Sequence, residues 1–175
     1  MTEPSGYVLE PFREGADFTL YRGRQHGNPL PVWVVALAAE RPSPQSLRRL
    51  EHEYSLTAEL DPAWATRPLA LARHEERPIL VRNDPGGDLL DSVLERGQPL
   101  DMTRFLRIAI GLVTALGQVP RRGLIHKDIK PANVLVDDAG KVSLTGFGIA
   151  SQLPRECEAP GPQEIIAGIL AYMAA

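Results

Sequence analysis

The sequence has very little cysteine and very little lysine. Its single cysteine, Cys157, excludes a disulfide framework, and this is typical of a protein in a reducing compartment. We therefore expect a cytoplasmic protein. The only lysines are Lys127, Lys130 and Lys141, so arginine carries nearly all of the positive charge and no lysine precedes Lys127.

Long apolar runs and a basic charge excess are also missing. The longest apolar stretches, Val32–Ala39 and Ile108–Leu116, are too short to cross a bilayer, and Met1–Gly6 lacks the features of a secretory signal. A net charge of −3 gives no general attraction to nucleic acid or to anionic membranes. We therefore expect no nucleic-acid partner and no membrane segment. A hydrophobic content of 43% indicates a globular chain.

The first half of the chain alternates between strand-like runs and turn signals. Strands are predicted at Tyr7–Leu9, Phe18–Tyr21, Val32–Leu37, Pro68–Ala72 and Pro78–Arg82. A helix is predicted over Pro44–Glu59, because Ser43 can cap its N-terminus and proline is favoured in the first turn.

The hydrophobic period changes after Gly86-Gly87. Helices are predicted over Asp88–Arg96 and Asp101–Val119, and a hairpin is predicted from Val134–Val136 and Val142–Leu144. Strands plus one helix therefore come first, in residues 1–85, and helices plus a hairpin follow in residues 86–175. This order predicts an α+β, two-lobed architecture.

The segment His126–Asn133 carries the residue types needed for phosphoryl transfer. Asp128 can accept or orient a hydroxyl proton, and Lys130 can neutralise charge on the transferred group. Asn133 offers a carbonyl oxygen to Mg²⁺. Small-molecule kinases use a similar H-x-D followed by asparagine, but Lys130-Pro131 favours a protein kinase.

This segment resembles the catalytic loop of Ser/Thr protein kinases, and Leu144–Ala150 resembles the metal-binding motif that follows it. The sequences of Leu144–Gly148 and Leu50–Pro62 resemble the N-terminal kinase-like region of bacterial hybrid sensor histidine kinases. The resemblance implies a protein-kinase-like fold with an N-lobe of antiparallel sheet plus one helix, and ATP and Mg²⁺ as cofactors. It also implies an incomplete C-lobe, because the family continues with further helices after the activation segment.

The resemblance also implies roles for individual residues. Asp128 and Lys130 are the expected catalytic residues, and Asn133 is the expected metal ligand. Gly15 in the glycine-rich loop, Glu53 in the regulatory helix and Asn133 are expected at the nucleotide. The implied partners are other signalling domains of a larger sensor kinase, or a missing C-terminal portion, with a protein substrate if the domain is active.

Three features depart from the family pattern. Gly146 stands where the family has its metal-binding aspartate, and Val35 stands where it has the strand lysine. Only Gly15 remains of the three loop glycines. Without the lysine, Glu53 is expected to face solvent or another arginine. Arg22 and Arg24, the nearest basic residues, are expected to be exposed surface charges.

These departures leave three functions open. The first is a degenerate kinase, a pseudokinase with a regulatory or scaffolding role that binds ATP and Mg²⁺ weakly. The second is an active Ser/Thr kinase with an unusual metal site. The third is an interaction domain that needs no nucleotide.

We predict that phosphorylation of the activation segment does not regulate this chain. No Ser, Thr or Tyr lies between Gln152 and Gly168, so no acceptor is available there, and Lys127 replaces the arginine that would receive the phosphate. Phosphopeptide mapping after co-expression with an active kinase should find no stoichiometric site from Ser151 to Tyr172. A stoichiometric phosphate on either of these two residues would contradict the prediction.

Overall fold

The computed structural model describes residues 6–39, 42–74, 77–97 and 100–153. The chain divides into two compact units. The N-terminal unit comprises Met1–Pro62 and Thr66–Asp84, and the C-terminal unit comprises Ala63–Ala65 and Pro85–Ala175. The segment Gly168–Ala174, interpreted above as the end of an activation segment, lies outside the described residues.

The N-terminal unit is built on a five-stranded antiparallel sheet with the strand order β1-β2-β3-β5-β4. Its strands are β1 (Tyr7–Glu14), β2 (Phe18–Gln25), β3 (Pro31–Leu37), β4 (Pro68–His74) and β5 (Arg77–Asn83). All five predicted strands are confirmed, and β1 and β2 extend several residues beyond their predicted ends.

Strand β3 forms the centre of this sheet because its apolar run can be buried on both faces. It pairs with β2 on one edge and with β5 on the other. One face buries a cluster of small aliphatic side chains: Val32, Val34, Ala36, Ile79 and Val81. The opposite face packs Val35 and Leu37 against Leu50 and Leu80.

Helix α1 (Pro44–Ser55) covers the second of these faces. Its N-terminus is capped as predicted, since Ser43 Oγ accepts a hydrogen bond from the Ser46 amide at 3.0 Å. The helix ends four residues before the predicted Glu59. The amide of Leu56 donates to Glu53 O, three residues back, so the last turn tightens and the helix stops.

The C-terminal unit combines two longer helices with small sheets. The helices are α2 (Leu90–Glu95) and α3 (Met102–Arg121). Strands β6 (Asp88–Leu89), β8 (Val134–Val136) and β9 (Val142–Leu144) form one sheet in the order β6-β8-β9, and β7 (Leu124–Ile125) pairs with β10 (Ser151–Gln152). The predicted hairpin is confirmed as β8–β9, with Val134 opposite Leu144.

Helix α3 is apolar on more than one side. Asp101 caps its N-terminus by accepting from the Arg104 amide at 2.9 Å, and Ile108, Ala115 and Val119 are its buried residues. The helix runs two residues beyond its predicted end at Val119, and Pro120 lies inside the last turn. That turn closes through the Arg122 amide, which bonds to the Gln118 carbonyl.

The outer side of α3 carries large apolar residues that are exposed in the described structure: Met102, Phe105, Leu106, Ile110 and Val113. By length and composition alone, the 20-residue helix α3 is long and apolar enough to cross a membrane. One such helix is weak evidence for a membrane span, because a helix in the core of a soluble protein can have the same length and composition. It qualifies the expectation, drawn from shorter apolar runs, that no segment could span a bilayer.

We predict that Gly87→Ala destabilises the protein more than Gly86→Ala. Both residues have a positive φ, 79° and 80°, so alanine costs about 1–2 kcal/mol at either position. A Cβ on Gly87 would also collide with the Val136 carbonyl oxygen, whereas a Cβ on Gly86 meets no atom within 4 Å. The collision should cost roughly 1–3 kcal/mol more. Urea unfolding of both variants measures the difference, and equal losses would contradict the prediction.

Candidate functional site

The loop between β7 and β8 brings three of the predicted site residues together. Lys130 Nζ donates to Asp128 Oδ2 at 2.8 Å, and Asn133 Nδ2 donates to the same oxygen at 2.8 Å. Asn133 Nδ2 also donates to the Asp128 backbone carbonyl at 2.8 Å. Because both side-chain donors contact Oδ2, Asp128 Oδ1 is the oxygen with capacity to accept a proton from a bound hydroxyl group.

His126 holds this loop in place through hydrogen bonds that involve both of its ring nitrogens. Its buried ring accepts from the Asp128 amide through Nδ1 at 3.2 Å, and Nε2 lies 2.9 Å from the Thr145 carbonyl oxygen. Both contacts are satisfied by a neutral ring with its proton on Nε2. The pKa of His126 is lowered to about 4, and burial is the largest cause. The ring therefore remains neutral at pH values well below 7. The histidine therefore ties the start of the catalytic loop to the segment after β9.

The segment after β9 places Gly146 directly beside Asn133. Gly146 has φ +82°, a conformation that favours glycine. A Cβ at this position would lie 2.6 Å from Asn133 Cγ and 2.7 Å from both of its terminal side-chain atoms. Thr145 N also donates to the Asn133 backbone carbonyl at 3.0 Å. The amide of Asn133 therefore fills the space that a side chain at position 146 would need.

Phe147, the next residue, is fully buried in the C-terminal unit. Its ring centroid lies 4.3 Å from that of His126 and 6.2 Å from that of Trp64. These contacts hold the residue that directly follows Gly146 in place within the unit.

The residues of this unit do not fit a complete Mg²⁺ site. Mg²⁺ in kinase sites is held by an aspartate and an asparagine. Here Asn133 supplies one carbonyl oxygen, and Gly146 supplies no side-chain ligand. Within residues 6–39, 42–74, 77–97 and 100–153, no group of three His, Cys, Asp or Glu side chains could hold a metal ion.

Gly15 and Glu53, the other two predicted site residues, belong to the N-terminal unit. Gly15 lies in the turn between β1 and β2, where a Cβ would approach the Phe18 carbonyl oxygen to 2.8 Å. Arg13 and Phe18, in the places of the other two loop glycines, lie within the strands. The close approach within the turn is sufficient to explain a glycine at position 15.

Glu53 is buried and paired with an arginine. Its Oε1 lies 2.7 Å from Arg82 Nη2, and the two side chains are 3% and 5% exposed. Glu53 was expected to face either solvent or an arginine. The arginine is confirmed, and the buried position of Glu53 excludes solvent. Val35, in the place of the strand lysine, is buried with Leu50 and Leu80. Sequence reasoning missed Arg82, although a charge at the end of the apolar run Ile79–Val81 was an available signal.

The expectation that Arg22 is a surface charge was wrong. Its Nε lies 2.8 Å from Asp84 Oδ2, and its side chain is only 33% exposed. The guanidinium lies 4.9 Å from the ring centroid of Phe12 and 5.4 Å from that of Trp33. The reason is strand register: Arg22 stands opposite Trp33, so both side chains occupy the same face of the sheet. Arg24, in contrast, is exposed as expected.

The fold and the catalytic-loop geometry define a class of protein that comparison identifies directly. The family description "Protein kinase domain" matches residues 15–175, which is most of the chain. The chain therefore belongs to the protein kinase domain family, and the expected kinase-like α+β fold is confirmed. Protein kinase domains generally use ATP and Mg²⁺.

Relatives that match include Ser/Thr kinases. The chain is 39% identical over 74 residues to "Serine/threonine-protein kinase PknK" of Mycobacterium tuberculosis, covering 42% of this chain and 7% of that protein. It is 40% identical over 73 residues to "Probable serine/threonine-protein kinase SCO3848" of Streptomyces coelicolor, covering 42% of this chain and 11% of the relative. It is 33% identical over 101 residues to human "Serine/threonine-protein kinase LATS1", covering 57% and 9%. The chain thus spans only a small part of each relative.

We predict that His126 makes the protein less stable as the pH falls from about 6.5 to about 4. Because its pKa is lowered in the folded state from 6.5 to about 4, protonation in this window favours the unfolded chain. The loss from this residue should approach about 3 kcal/mol.

The measurement is urea unfolding of wild type and His126→Asn at several pH values, with His26→Gln, which alters an exposed histidine, as the matched control. The stability of His126→Asn should fall less steeply than that of the other two proteins. Parallel curves for all three would contradict the prediction.

Proposed function

We propose that this chain is a kinase-like signalling domain with a regulatory or scaffolding role and little phosphotransferase activity, a pseudokinase. The observation that carries the proposal is the packing of the Asn133 amide against Gly146. The aspartate that holds Mg²⁺ in protein kinases is missing from the sequence, and the space for its side chain is filled as well.

A second loss supports the proposal. In kinases the strand lysine contacts the α- and β-phosphates, and here its place is taken by Val35 in an apolar cluster. Removing one preorganised electrostatic group from an active site typically reduces the rate by a factor of about 10²–10³. Such losses need not add, but two of them leave little turnover.

The alternative is an active Ser/Thr kinase, and one observation favours it. Lys130 and Asn133 both donate hydrogen bonds to Asp128 Oδ2. Asp128 Oδ1 therefore has the capacity to accept a proton from a substrate hydroxyl. Under this alternative the substrate is a protein hydroxyl group, and Asn133 is the ligand that remains for Mg²⁺.

A third candidate is an interaction domain that binds no nucleotide. The named relatives are about nine to fourteen times longer than the portion that this chain matches, and the outer side of α3 exposes large apolar residues. Both observations support a role for this chain as one module of a larger cytoplasmic signalling protein. The sequence resemblance to hybrid sensor histidine kinases suggests sensor-kinase domains as its neighbours.

We predict that ATP binds weakly and without a strong dependence on Mg²⁺. At millimolar ATP the melting temperature should rise by less than about 2 °C, because stabilisation by a ligand follows its concentration relative to Kd. The measurement is thermal unfolding with ATP, with ATP and Mg²⁺, and with Mg²⁺ alone. A large stabilisation that requires ATP and Mg²⁺ together would contradict the prediction.

A phosphotransfer assay separates the candidates further. Wild type and Asp128→Asn are compared with γ-labelled ATP and a generic protein substrate. The pseudokinase proposal requires equal, background incorporation in both proteins. Mg²⁺-dependent incorporation that Asp128→Asn abolishes would establish the active kinase instead. Weak ATP binding without transfer supports a pseudokinase, and the absence of any binding supports the interaction domain.

A further inference from the structure

A row of three side chains crosses the sheet of the N-terminal unit on the face that α1 covers. Arg22 of β2 stands opposite Trp33 of β3, and Trp33 stands opposite Arg82 of β5. Directly opposed residues in antiparallel strands point to the same face. We call these three residues the Arg–Trp–Arg row.

Each arginine of the row has its own carboxylate. Arg22 Nε lies 2.8 Å from Asp84 Oδ2, and Arg82 Nη2 lies 2.7 Å from Glu53 Oε1. The central Trp33 is fully buried. The two guanidinium charges are therefore balanced inside the unit, as buried charges must be.

Arg82 is close to the position from which the family's lysine would reach Glu53. Val35 stands opposite Leu80, so Arg82 is its diagonal neighbour on β5, about 7–8 Å away in an antiparallel sheet. From there the longer arginine side chain reaches the same glutamate of α1. In this chain the positive charge lies on β5, at Arg82, and the position of the family's lysine is occupied by the apolar Val35.

We propose that Arg82 is a positioning residue that holds helix α1 on the sheet through Glu53, with or without nucleotide. In kinases the lysine that pairs with the helix glutamate also contacts the phosphates, so the helix position and nucleotide binding are linked. Arg82 is 5% exposed and lies in the central part of the sheet, so its pairing needs no nucleotide. Arginine stays charged throughout the accessible pH range, so this contact is permanent.

The consequence is a regulatory helix that is fixed in one position. A module with such a helix presents one constant surface to a partner rather than two alternative ones. The inference goes beyond the proposed function, because it holds whether or not the chain transfers phosphate.

The test uses the full chain and four variants of the pair: Arg82→Met, Glu53→Gln, the double variant of these two, and Arg82→Lys. Thermal unfolding measures stability, and hydrogen exchange of the amides in Pro44–Ser55 reports on α1. Arg96→Met is the matched control, because Arg96 also contacts a carboxylate at 2.7 Å but is 61% exposed. Its melting temperature should change by less than about 2 °C.

Each single variant removes one member of the ion pair and keeps the buried charge of the other. Arg82→Met and Glu53→Gln should each lower the melting temperature by on the order of 10 °C and speed exchange in α1 at least about tenfold. The double variant should recover more than half of that loss, because neither charge remains. Arg82→Lys, which keeps the charge, should be more stable than Arg82→Met. Adding ATP and Mg²⁺ to wild type should leave the exchange of α1 unchanged.

Three outcomes would overturn the proposal. The first is amide hydrogen exchange in α1 that is as slow in Arg82→Met as in wild type. Another is a double variant no more stable than the less stable single variant, which would show that the two residues do not act together. The last is protection of α1 by ATP and Mg²⁺ that Arg82→Met abolishes, since Arg82 would then be a nucleotide ligand.

Discussion

The N-terminal unit depends on a buried carboxylate that must have a cation beside it. Glu53 points from α1 into the sheet, where an unpaired negative charge would cost several kcal/mol. Arg82 provides the partner from β5, and the apolar cluster around Val35 and Leu50 closes over the same face. The ion pair and the cluster together fix the helix on the sheet, and each of them requires the strand register that brings β3 and β5 side by side.

The C-terminal unit meets the same constraint with hydrogen bonds instead of charges. His126 is buried, so the neutral ring is favoured and both of its nitrogens need partners. The Asp128 amide and the Thr145 carbonyl provide them, and in doing so they join the catalytic loop to the segment that carries Gly146. A single buried histidine thus organises the part of the unit where chemistry would occur.

The two units depart from the kinase sequence pattern at different positions. The N-terminal unit keeps the helix glutamate but pairs it within its own core, through Arg82. The C-terminal unit keeps Asp128, Lys130 and Asn133 in contact but has no carboxylate at position 146. Asp128, Lys130 and Asn133 are present, whereas the strand lysine and the aspartate at position 146 are absent. That pattern is the physical basis of the proposed regulatory role.

The sequence by itself determined the strands of the sheet, the β8–β9 hairpin, the catalytic loop and the absence of any lysine before Lys127, because these depend on local periodicity, turn residues and residue identity. Only the tertiary structure decided that Arg82 reaches Glu53, that Arg22 packs beside Trp33, and that Asn133 fills the space beside Gly146. Such contacts join residues that are distant along the chain or on different strands. They depend on strand register and on which face a side chain occupies, and a one-residue shift would reverse that face.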